Sequence, residues 1–284
     1  MFLAITYSVA VNSQVLNASA EREWRATLDL ETGLREGVTR LTAAKHEGPL
    51  RVQRPFVQSD GSCHVYLLHP PGGLVGGDSL DININGAAGT HTVVTTPAAG
   101  KHYGCLPDMP TQSVRQRITV GEQAFMEWVP QESIFFNRTN AGVHQRVDLH
   151  PSSRYLGWEI ITFGRRASGE DFSAGSMTQA LEICVAGQMI HRERLVFSEA
   201  IQNSHWGLDG ASVVGTLIAF NLSETKDDTE RVREALRDPN WGVTEKGRTL
   251  LVRFVGDSAE ECREGFFRIR DQLSGSARPR IWKT

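Results

Sequence analysis

The feature that most constrains the fold is a series of short segments in which apolar and polar residues alternate. The series begins at Trp24 and recurs in segments such as LDININ (residues 80–85) and VHQRVDL (residues 143–149). A period of two places apolar side chains on one face of a β-strand, whereas an amphipathic helix repeats every three to four residues. Glycine, proline and asparagine separate the segments, as at turns between strands. The chain is therefore expected to be mainly β, with antiparallel or mixed sheets.

The C-terminal third departs from this pattern and contains two helical segments. Residues 225–237 are highly charged and precede Asp238-Pro239, where proline terminates a helix. Ser258 and Glu261 then have the spacing of a capping box. The apolar stripe that follows, at steps of three and four residues, comprises Ala259, Cys262, Phe266, Ile269 and Leu273. No linker of charged or Ser/Gly residues separates these helices from the β portion, so residues 24–284 are predicted to form a single domain.

Charge and cysteine content narrow the possible functions. Lysine and arginine number 30 against 33 aspartates and glutamates, and the formal net charge is −3. Nucleic-acid binding needs a basic patch or stripe, so nucleic acid is not an expected partner. The four cysteines, at positions 63, 105, 184 and 262, are scattered, which fits the reducing cytoplasm better than a disulfide framework. No segment is apolar for long enough to cross a bilayer, so membrane insertion is not expected.

The first 23 residues lie outside the alternating pattern. A short apolar run and an Ala-Ser-Ala tripeptide at residues 18–20 are similar to a secretion signal. The basic start of such a signal is missing, however, and Thr6, Tyr7 and Ser8 interrupt the apolar run. We interpret residues 1–23 as a loosely held extension or an additional edge strand.

The densest motif is HPPGGLVGGD at residues 69–78, with two prolines and four glycines. Gly72 and Gly77 have the separation found in a phosphate-binding loop, but Asp78 follows where that loop needs lysine. The dinucleotide-binding pattern also fails, because Leu74 occupies the position of its second glycine. Glycine at this density indicates a sharp turn or a close approach of the backbone. From these residues alone, a tight hairpin or bulge is the simplest interpretation.

Patterns for catalysis or for a stable metal site are missing from the sequence. The nine histidines form no HExxH motif, and neither a CxxC pair nor a GxSxG elbow is present. The enzyme interpretation that remains open is a metal-dependent hydrolase using His69, Asp78 and neighbouring groups. Such an enzyme would hold its metal with three protein ligands and retain it on purification.

Several longer motifs occur together and in order along the chain. They are GPLRVQRPF, HVYLLHPPGGLVGGDSL, TTPAAGKHY, EWVPQESIFF, GWEIITFGR followed by GEDF, and the C-terminal RPRIWKT. In this combination the chain resembles the urease accessory proteins of the UreD type, called UreH in some bacteria. The resemblance runs from residue 24 to the C-terminus, so residues 24–284 would form one UreD-type domain.

The resemblance implies a non-enzymatic urease maturation factor. Proteins of this family bind apo-urease and, with UreF and the GTPase UreG, deliver nickel(II) to the urease active site within a symmetric hetero-oligomer. The implied fold is a flattened, β-helix-like stack of many short strands, with two α-helices in the C-terminal third. GTP chemistry would belong to UreG, in agreement with the failed phosphate-loop pattern. No tightly bound cofactor is expected, only transient nickel(II).

The resemblance also implies an internal, water-filled passage for nickel. A conduit needs oxygen or imidazole groups that bind Ni²⁺ weakly enough to release it. The candidate carboxylates within the family motifs are Asp78, Glu127, Glu132, Glu159 and Glu170. For each of them the alternative is a strand carboxylate that faces bulk water.

Two further segments are candidates for structural or partner contacts. The glycine-rich loop contributes His69, Pro70, Pro71, Gly72, Gly73, Gly76 and Gly77. At the C-terminus, Arg280 and Trp282 combine two residue types that are common in binding hot spots. This tail is therefore expected to dock either on the β portion or in UreF.

Overall fold

A computed structural model describes residues 23–222 and 226–283, and within these ranges the chain is mainly β, as predicted. The strands, in chain order, are β1 (Trp24–Arg35), β2 (Val38–Glu47), β3 (Arg51–Val52), β4 (Phe56–Val57), β5 (Cys63–Leu68), β6 (Asp78–Gly86), β7 (His91–Thr95), β8 (Gly100–His102), β9 (Gln112–Val120), β10 (Phe125–Trp128), β11 (Ser133–Phe135), β12 (Asn140–Leu149), β13 (Arg154–Phe163), β14 (Ser176–Val185), β15 (Gln188–Phe197), β16 (Val213–Phe220), β17 (Trp241–Lys246) and β18 (Thr249–Gly256). The helices are α1 (Glu199–Gln202), α2 (Lys226–Ala235) and α3 (Ala259–Leu273). The predicted extension at residues 1–23 lies outside the described residues, apart from Glu23.

The strands form two sheets that enclose a common apolar core. The seven-stranded sheet has the order β15-β14-β12-β9-β6-β1-β2. The main path of the eleven-stranded sheet is β17-β18-β16-β13-β10-β7-β5-β3, with β4, β8 and β11 at its sides. Apolar side chains from both sheets meet between them, for example Leu28 and Ile82 from the first and Met126 and Tyr155 from the second.

The middle of the chain is built like a flattened β-helix, as the resemblance implied. From β5 to β14 the chain passes repeatedly from one sheet to the other. Strands β6, β9, β12 and β14 pair in parallel, and so do β5, β7, β10 and β13. When successive strands alternate between two sheets, the chain enters a given sheet in the same direction each time. Neighbouring strands of that sheet are therefore parallel. Antiparallel pairs such as β1–β2, β14–β15 and β16–β18 complete the sheets.

The eleven-stranded sheet is covered on its outer face by α3. A second apolar cluster lies there, with Trp158 of β13 packed against Phe266 and Phe267 of the helix. Because both faces of this sheet are buried, β13 and β16 are apolar on both sides, unlike the alternating strands of the other sheet.

Both predicted helices are confirmed. The Glu261 N–H donates to the Ser258 Oγ at 3.1 Å, which is the N-terminal cap that the spacing predicted. Helix α2 ends before Pro239. The one-turn helix α1 was not predicted. No helix within the described residues is both long and apolar enough to cross a membrane.

Candidate functional site

The glycine-rich loop at residues 69–78 joins β5 to β6 and begins with an exposed turn. The Gly72 N–H donates to the His69 carbonyl at 2.9 Å, and Pro70 and Pro71 lie exposed between them. Proline restricts its own φ to about −65°, which stiffens this half of the loop. Gly72 itself has a φ of 79° and is exposed.

The second half of the loop is buried and forms another turn. The Asp78 N–H donates to the Val75 carbonyl at 3.1 Å, and the Asp78 Oδ2 accepts the Val75 N–H at 2.9 Å. Gly77, the third residue of this turn, has a φ of 88°, a value that favours glycine. Its N–H donates to the Pro110 carbonyl at 2.9 Å, so the turn is also tied to a neighbouring segment.

Gly73 and Gly76 are required by close packing. A Cβ on Gly73 would lie 2.4 Å from the Cε2 of Tyr103 and 3.0 Å from the carbonyl oxygen of Lys101. A Cβ on Gly76 would lie 2.6 Å from the Cβ of Met109. The loop therefore approaches the backbone and side chains of residues 101–110 of the same chain.

Asp78 places a carboxylate near the imidazole of His69 at the base of this loop. The side chain is buried, and its Oδ1 has no hydrogen-bond partner within the described residues. Burial keeps the pKa of His69 below its ordinary value although the charge of Asp78 acts in the opposite direction. His102 stacks on Phe135 at 4.2 Å, and burial lowers the pKa of His102 to about 4. The loop thus combines one free carboxylate oxygen with the His69 imidazole, which favours the neutral form, and His102 pairs with Leu74 of the loop in an isolated β-bridge.

The hydrolase alternative would need a third ligand near His69 and Asp78. Within residues 23–222 and 226–283, no three histidine, cysteine, aspartate or glutamate side chains form a group that could hold a metal ion. The structure therefore gives no support to this alternative.

Glu127 belongs to a buried ion pair beneath α3. Its Oε1 lies 2.8 Å from the Nε2 of His91, and its Oε2 accepts the Arg270 Nε–H at 2.5 Å. Burial alone would raise the pKa of Glu127, but His91 and Arg270 hold that pKa below its ordinary value. Arg270 also donates to the carbonyls of Ser276 and Ala277, at 3.0 and 3.1 Å. The pair therefore ties the C-terminal segment to the sheet, and the carboxylate is already neutralised.

His64 of β5 borders this ion pair. Both of its ring nitrogens are buried and lack a hydrogen-bond partner within the described residues. Burial lowers the pKa of His64 to about 4, so the imidazole is neutral at pH 7. His64, His91 and Arg270 were not predicted as functional residues from the sequence, because lone histidines and a helical arginine are usually exposed or satisfied individually.

Glu159 lies on the opposite face of the eleven-stranded sheet, in the space between the two sheets. The Trp128 Nε1–H and the Gln145 Nε2–H donate to its Oε1 at 2.8 and 3.2 Å. Burial raises the pKa of Glu159 to about 7, and these two hydrogen bonds offset only part of that effect. The adjoining cavity, of about 10 Å³, has room for roughly one water molecule. The polar side chains that line it include Gln145, Tyr155, Glu159, Gln179 and Thr216.

A polar row continues from Glu159 toward the rim of the sheets. Thr216 is its neighbour on β16, and the Arg253 Nη1 donates to the Thr216 Oγ1 at 3.1 Å. Arg253 is also ion-paired with Glu193 of β15, whose Oε2 lies 3.6 Å from the Nε2 of His191. Burial alone would raise the pKa of Glu193, but His191 and Arg253 hold that pKa below its ordinary value. Glu193 was not predicted from the sequence, although an acidic residue on the core-facing side of an alternating strand is the signal that could have identified it.

Glu132 and Glu170 lie nearer the surface, in separate ion pairs. The Glu132 Oε2 lies 3.4 Å from the Nη1 of Arg263 on α3. Glu170 accepts the Asn137 N–H at 2.8 Å and is ion-paired with Arg165. Burial alone would raise the pKa of Glu170, but these two contacts hold that pKa below its ordinary value. The five candidate carboxylates thus occupy different environments.

The C-terminal tail docks on the β portion, one of the two predicted possibilities. The Trp282 Nε1–H donates to the Thr95 Oγ1 at 3.1 Å, and the ring centroid of Trp282 lies 5.0 Å from that of Phe267. The Arg280 N–H donates to the Tyr66 hydroxyl at 3.1 Å. Backbone and side-chain contacts together hold this tail.

Replacing Glu159 by glutamine is expected to change how stability depends on pH. The pKa of about 7 exceeds the ordinary value of 4.5, so the folded protein keeps a proton that the unfolded chain releases. The folded state of the natural chain therefore loses stability as pH rises from about 4.5 to about 7, by up to about 3 kcal/mol. Glu159→Gln cannot ionise and should gain stability relative to the natural chain over the same window.

Urea unfolding at a series of pH values measures this effect. The exposed Glu122→Gln serves as the matched control and should follow the natural chain. A constant difference between Glu159→Gln and the natural chain from about pH 4.5 to pH 8 would contradict the raised pKa.

Known proteins resemble this chain over nearly its whole length. The family model described as UreD urease accessory protein matches residues 25–283. The urease accessory protein UreD of Saccharophagus degradans is 40% identical over 279 residues, covering 93% of this chain and 94% of the relative. For UreD of Klebsiella aerogenes the identity is 39% over 276 residues, with 93% and 98% covered. Urease accessory protein UreD 1 of Psychrobacter cryohalolentis is 35% identical over 309 aligned positions, with 99% and 100% covered.

Proposed function

Because the chain belongs to the UreD family of urease accessory proteins, we propose that it is a scaffold that binds apo-urease and, with UreF and the GTPase UreG, delivers nickel(II) to the urease active site. Family membership itself supports a role in urease maturation. The chain acts as a non-catalytic partner in the cytoplasm, within a symmetric hetero-oligomer, and nickel is its transient cargo. The functional unit that we propose is a single UreD-type domain at residues 24–284.

The observation that supports nickel transfer is the polar row between the sheets. A buried carboxylate in an apolar core is costly unless it is paired or hydrated. Glu159 has no cationic partner within the described residues, and two neutral donors and a small cavity adjoin it. Its pKa of about 7 allows it to exchange a proton for a cation near neutral pH. Carboxylates and imidazoles hold Ni²⁺ without trapping it as thiolates would.

The candidate carboxylates differ in how readily they could meet a cation. Asp78 keeps one oxygen without a partner, and Glu159 has only neutral partners. Glu127, Glu132 and Glu170 are each paired with an arginine, which a cation would have to displace. We therefore assign Asp78 and Glu159 the leading roles in the proposed path, with Glu193 as an additional candidate near the rim.

Reconstituted urease activation tests the proposal. Apo-urease, UreF, UreG and GTP are combined with limiting nickel, with the chain either present or omitted, and urease activity is measured. Activity should depend on the chain and should fall at least about tenfold with Glu159→Gln, while Glu122→Gln activates normally. Equal activation with and without the chain would defeat the proposed function. Full dependence on the chain combined with normal activation by Glu159→Gln would instead remove Glu159 from the path.

A further inference from the structure

The outer face of the seven-stranded sheet carries a cluster of arginines. Strand β9 presents Arg115 and Arg117, which stand next to His144 and Arg146 of β12 in the parallel register. The side chains of Arg115 and Arg117 are 62% and 61% exposed. Arg192 of the edge strand β15 lies two strands beyond β12, opposite Glu182 of β14. We call the group formed by Arg115, Arg117, His144, Arg146 and Arg192 the arginine face.

Carboxylates on this face are shared among several cations. Asp81 lies 3.2 Å from both Arg25 and Arg115. Asp148 lies 2.8 Å from Arg146 and 3.9 Å from Arg117. Each guanidinium has five N–H donors, so a shared carboxylate leaves many of them free for another acceptor.

Glu182 is shared in the same way. It lies 3.5 Å from Arg192, 3.6 Å from His144 and 3.7 Å from Arg146. Three carboxylates, those of Asp81, Asp148 and Glu182, are therefore shared among five arginines. These are Arg25, Arg115, Arg117, Arg146 and Arg192. Asp29, which also lies on this face, accepts a hydrogen bond from Asn83. The arginine face keeps a local excess of positive charge on a chain whose net charge is −3.

The register also creates a repulsion within the fold. Arg117 and Arg146 are direct neighbours on adjacent strands. Like charges at such positions destabilise a sheet. Asp148 contacts both guanidiniums and offsets this repulsion in part, and an anion supplied by another molecule would offset the positive charge that remains.

We propose that the arginine face binds an acidic helical segment of a partner protein. Arg115 and Arg117 are two residues apart on one strand, which separates them by about 6.7 Å. Glutamates four residues apart on a helix are separated by about 5–6 Å, so two carboxylates can meet both guanidiniums. Guanidinium and carboxylate groups can pair through two parallel hydrogen bonds, which makes the contact specific for carboxylates.

A protein partner fits this face better than a nucleic acid does. Asp81, Asp148 and Glu182 lie between the arginines and would repel a continuous phosphate backbone. Single-stranded nucleic acid also needs aromatic platforms for its bases. The positions of β9 and β12 that share this face are Ser113, Arg115, Arg117, Thr119, Gly142, His144, Arg146 and Asp148, and none is aromatic.

Binding of a synthetic peptide tests the proposal without any urease component, so its outcome is independent of the proposed function. The probe is a labelled helical peptide with glutamate at every fourth position, and the comparison peptide has glutamine there. Fluorescence anisotropy should show at least about tenfold tighter binding of the glutamate peptide, lost in about 0.5 M NaCl. Arg115→Glu/Arg117→Glu should abolish this preference, and Arg115→Gln/Arg117→Gln should lose most of it without adding repulsion.

The matched control reverses the same number of charges elsewhere. Arg35→Glu/Arg40→Glu changes two exposed arginines near the β1–β2 turn and should keep peptide affinity within about twofold. Circular dichroism verifies that every variant is folded. Equal affinity for the two peptides would overturn the proposal. So would a loss of affinity in Arg35→Glu/Arg40→Glu as large as that in Arg115→Glu/Arg117→Glu. Tighter binding of a single-stranded oligonucleotide than of the glutamate peptide would also overturn it.

Discussion

Arg270→Leu is expected to destabilise the protein by about 3–5 kcal/mol, because it leaves Glu127 as a buried charge without its arginine partner. Both side chains of this pair are completely buried. The substitution also removes the donors to the Ser276 and Ala277 carbonyls, which hold the start of the C-terminal tail. Urea unfolding gives the stability change. Limited proteolysis at the C-terminus should show earlier release of the tail that contains Trp282.

Arg268→Leu is the matched control for this prediction. Arg268 lies on the same helix but is exposed, so its replacement should change stability by less than about 0.5 kcal/mol. The double variant Glu127→Met/Arg270→Leu removes both charges and should recover much of the loss. The ion pair does not stabilise the fold as proposed if Arg270→Leu and Arg268→Leu have the same free energy of unfolding. The same conclusion follows if the double variant is no more stable than Arg270→Leu.

Gly77→Val is expected to disrupt the glycine-rich loop and abolish urease activation. Valine is β-branched and strongly disfavours the φ of 88° that Gly77 adopts. The backbone strain alone costs about 1–3 kcal/mol. The turn would also lose its contact with Pro110 if it shifted to relieve this strain. Thermal unfolding, together with reconstituted urease activation, measures both consequences.

Asp78→Asn separates the chemical role of the loop from its structural role. Asparagine keeps an oxygen that can accept the Val75 N–H, so the turn should remain intact, whereas alanine would remove this hydrogen bond. The loss of charge should slow nickel delivery at limiting nickel if Asp78 belongs to the proposed path. Normal activation by Asp78→Asn would leave the loop with a structural role only. A Gly77→Val protein as stable as the natural chain would contradict the requirement for glycine.

The sequence predicted those features that depend on neighbouring residues. Alternation identified the strands, and Ser258 with Glu261 identified the start of α3, since a cap is made within one helical turn. The glycine loop was correctly expected to turn sharply, because positive φ at Gly72 and Gly77 is a local property. The ordered motifs indicated the family, and the match of the UreD family model to residues 25–283 confirms it.

The tertiary structure decided which strands pair and which charges meet. Alternation shows which side chains share a face of a strand, but it does not show which strand lies next to it. The parallel pairing follows from the path of the chain, which alternates between the two sheets. Glu127 and Arg270 are 143 residues apart, and no local pattern relates them. Glu127 and Glu159 have the same chemistry, yet one faces an arginine beneath α3 and the other faces neutral donors between the sheets. Burial and partner, which set the pKa of a carboxyl group, are properties of the folded chain.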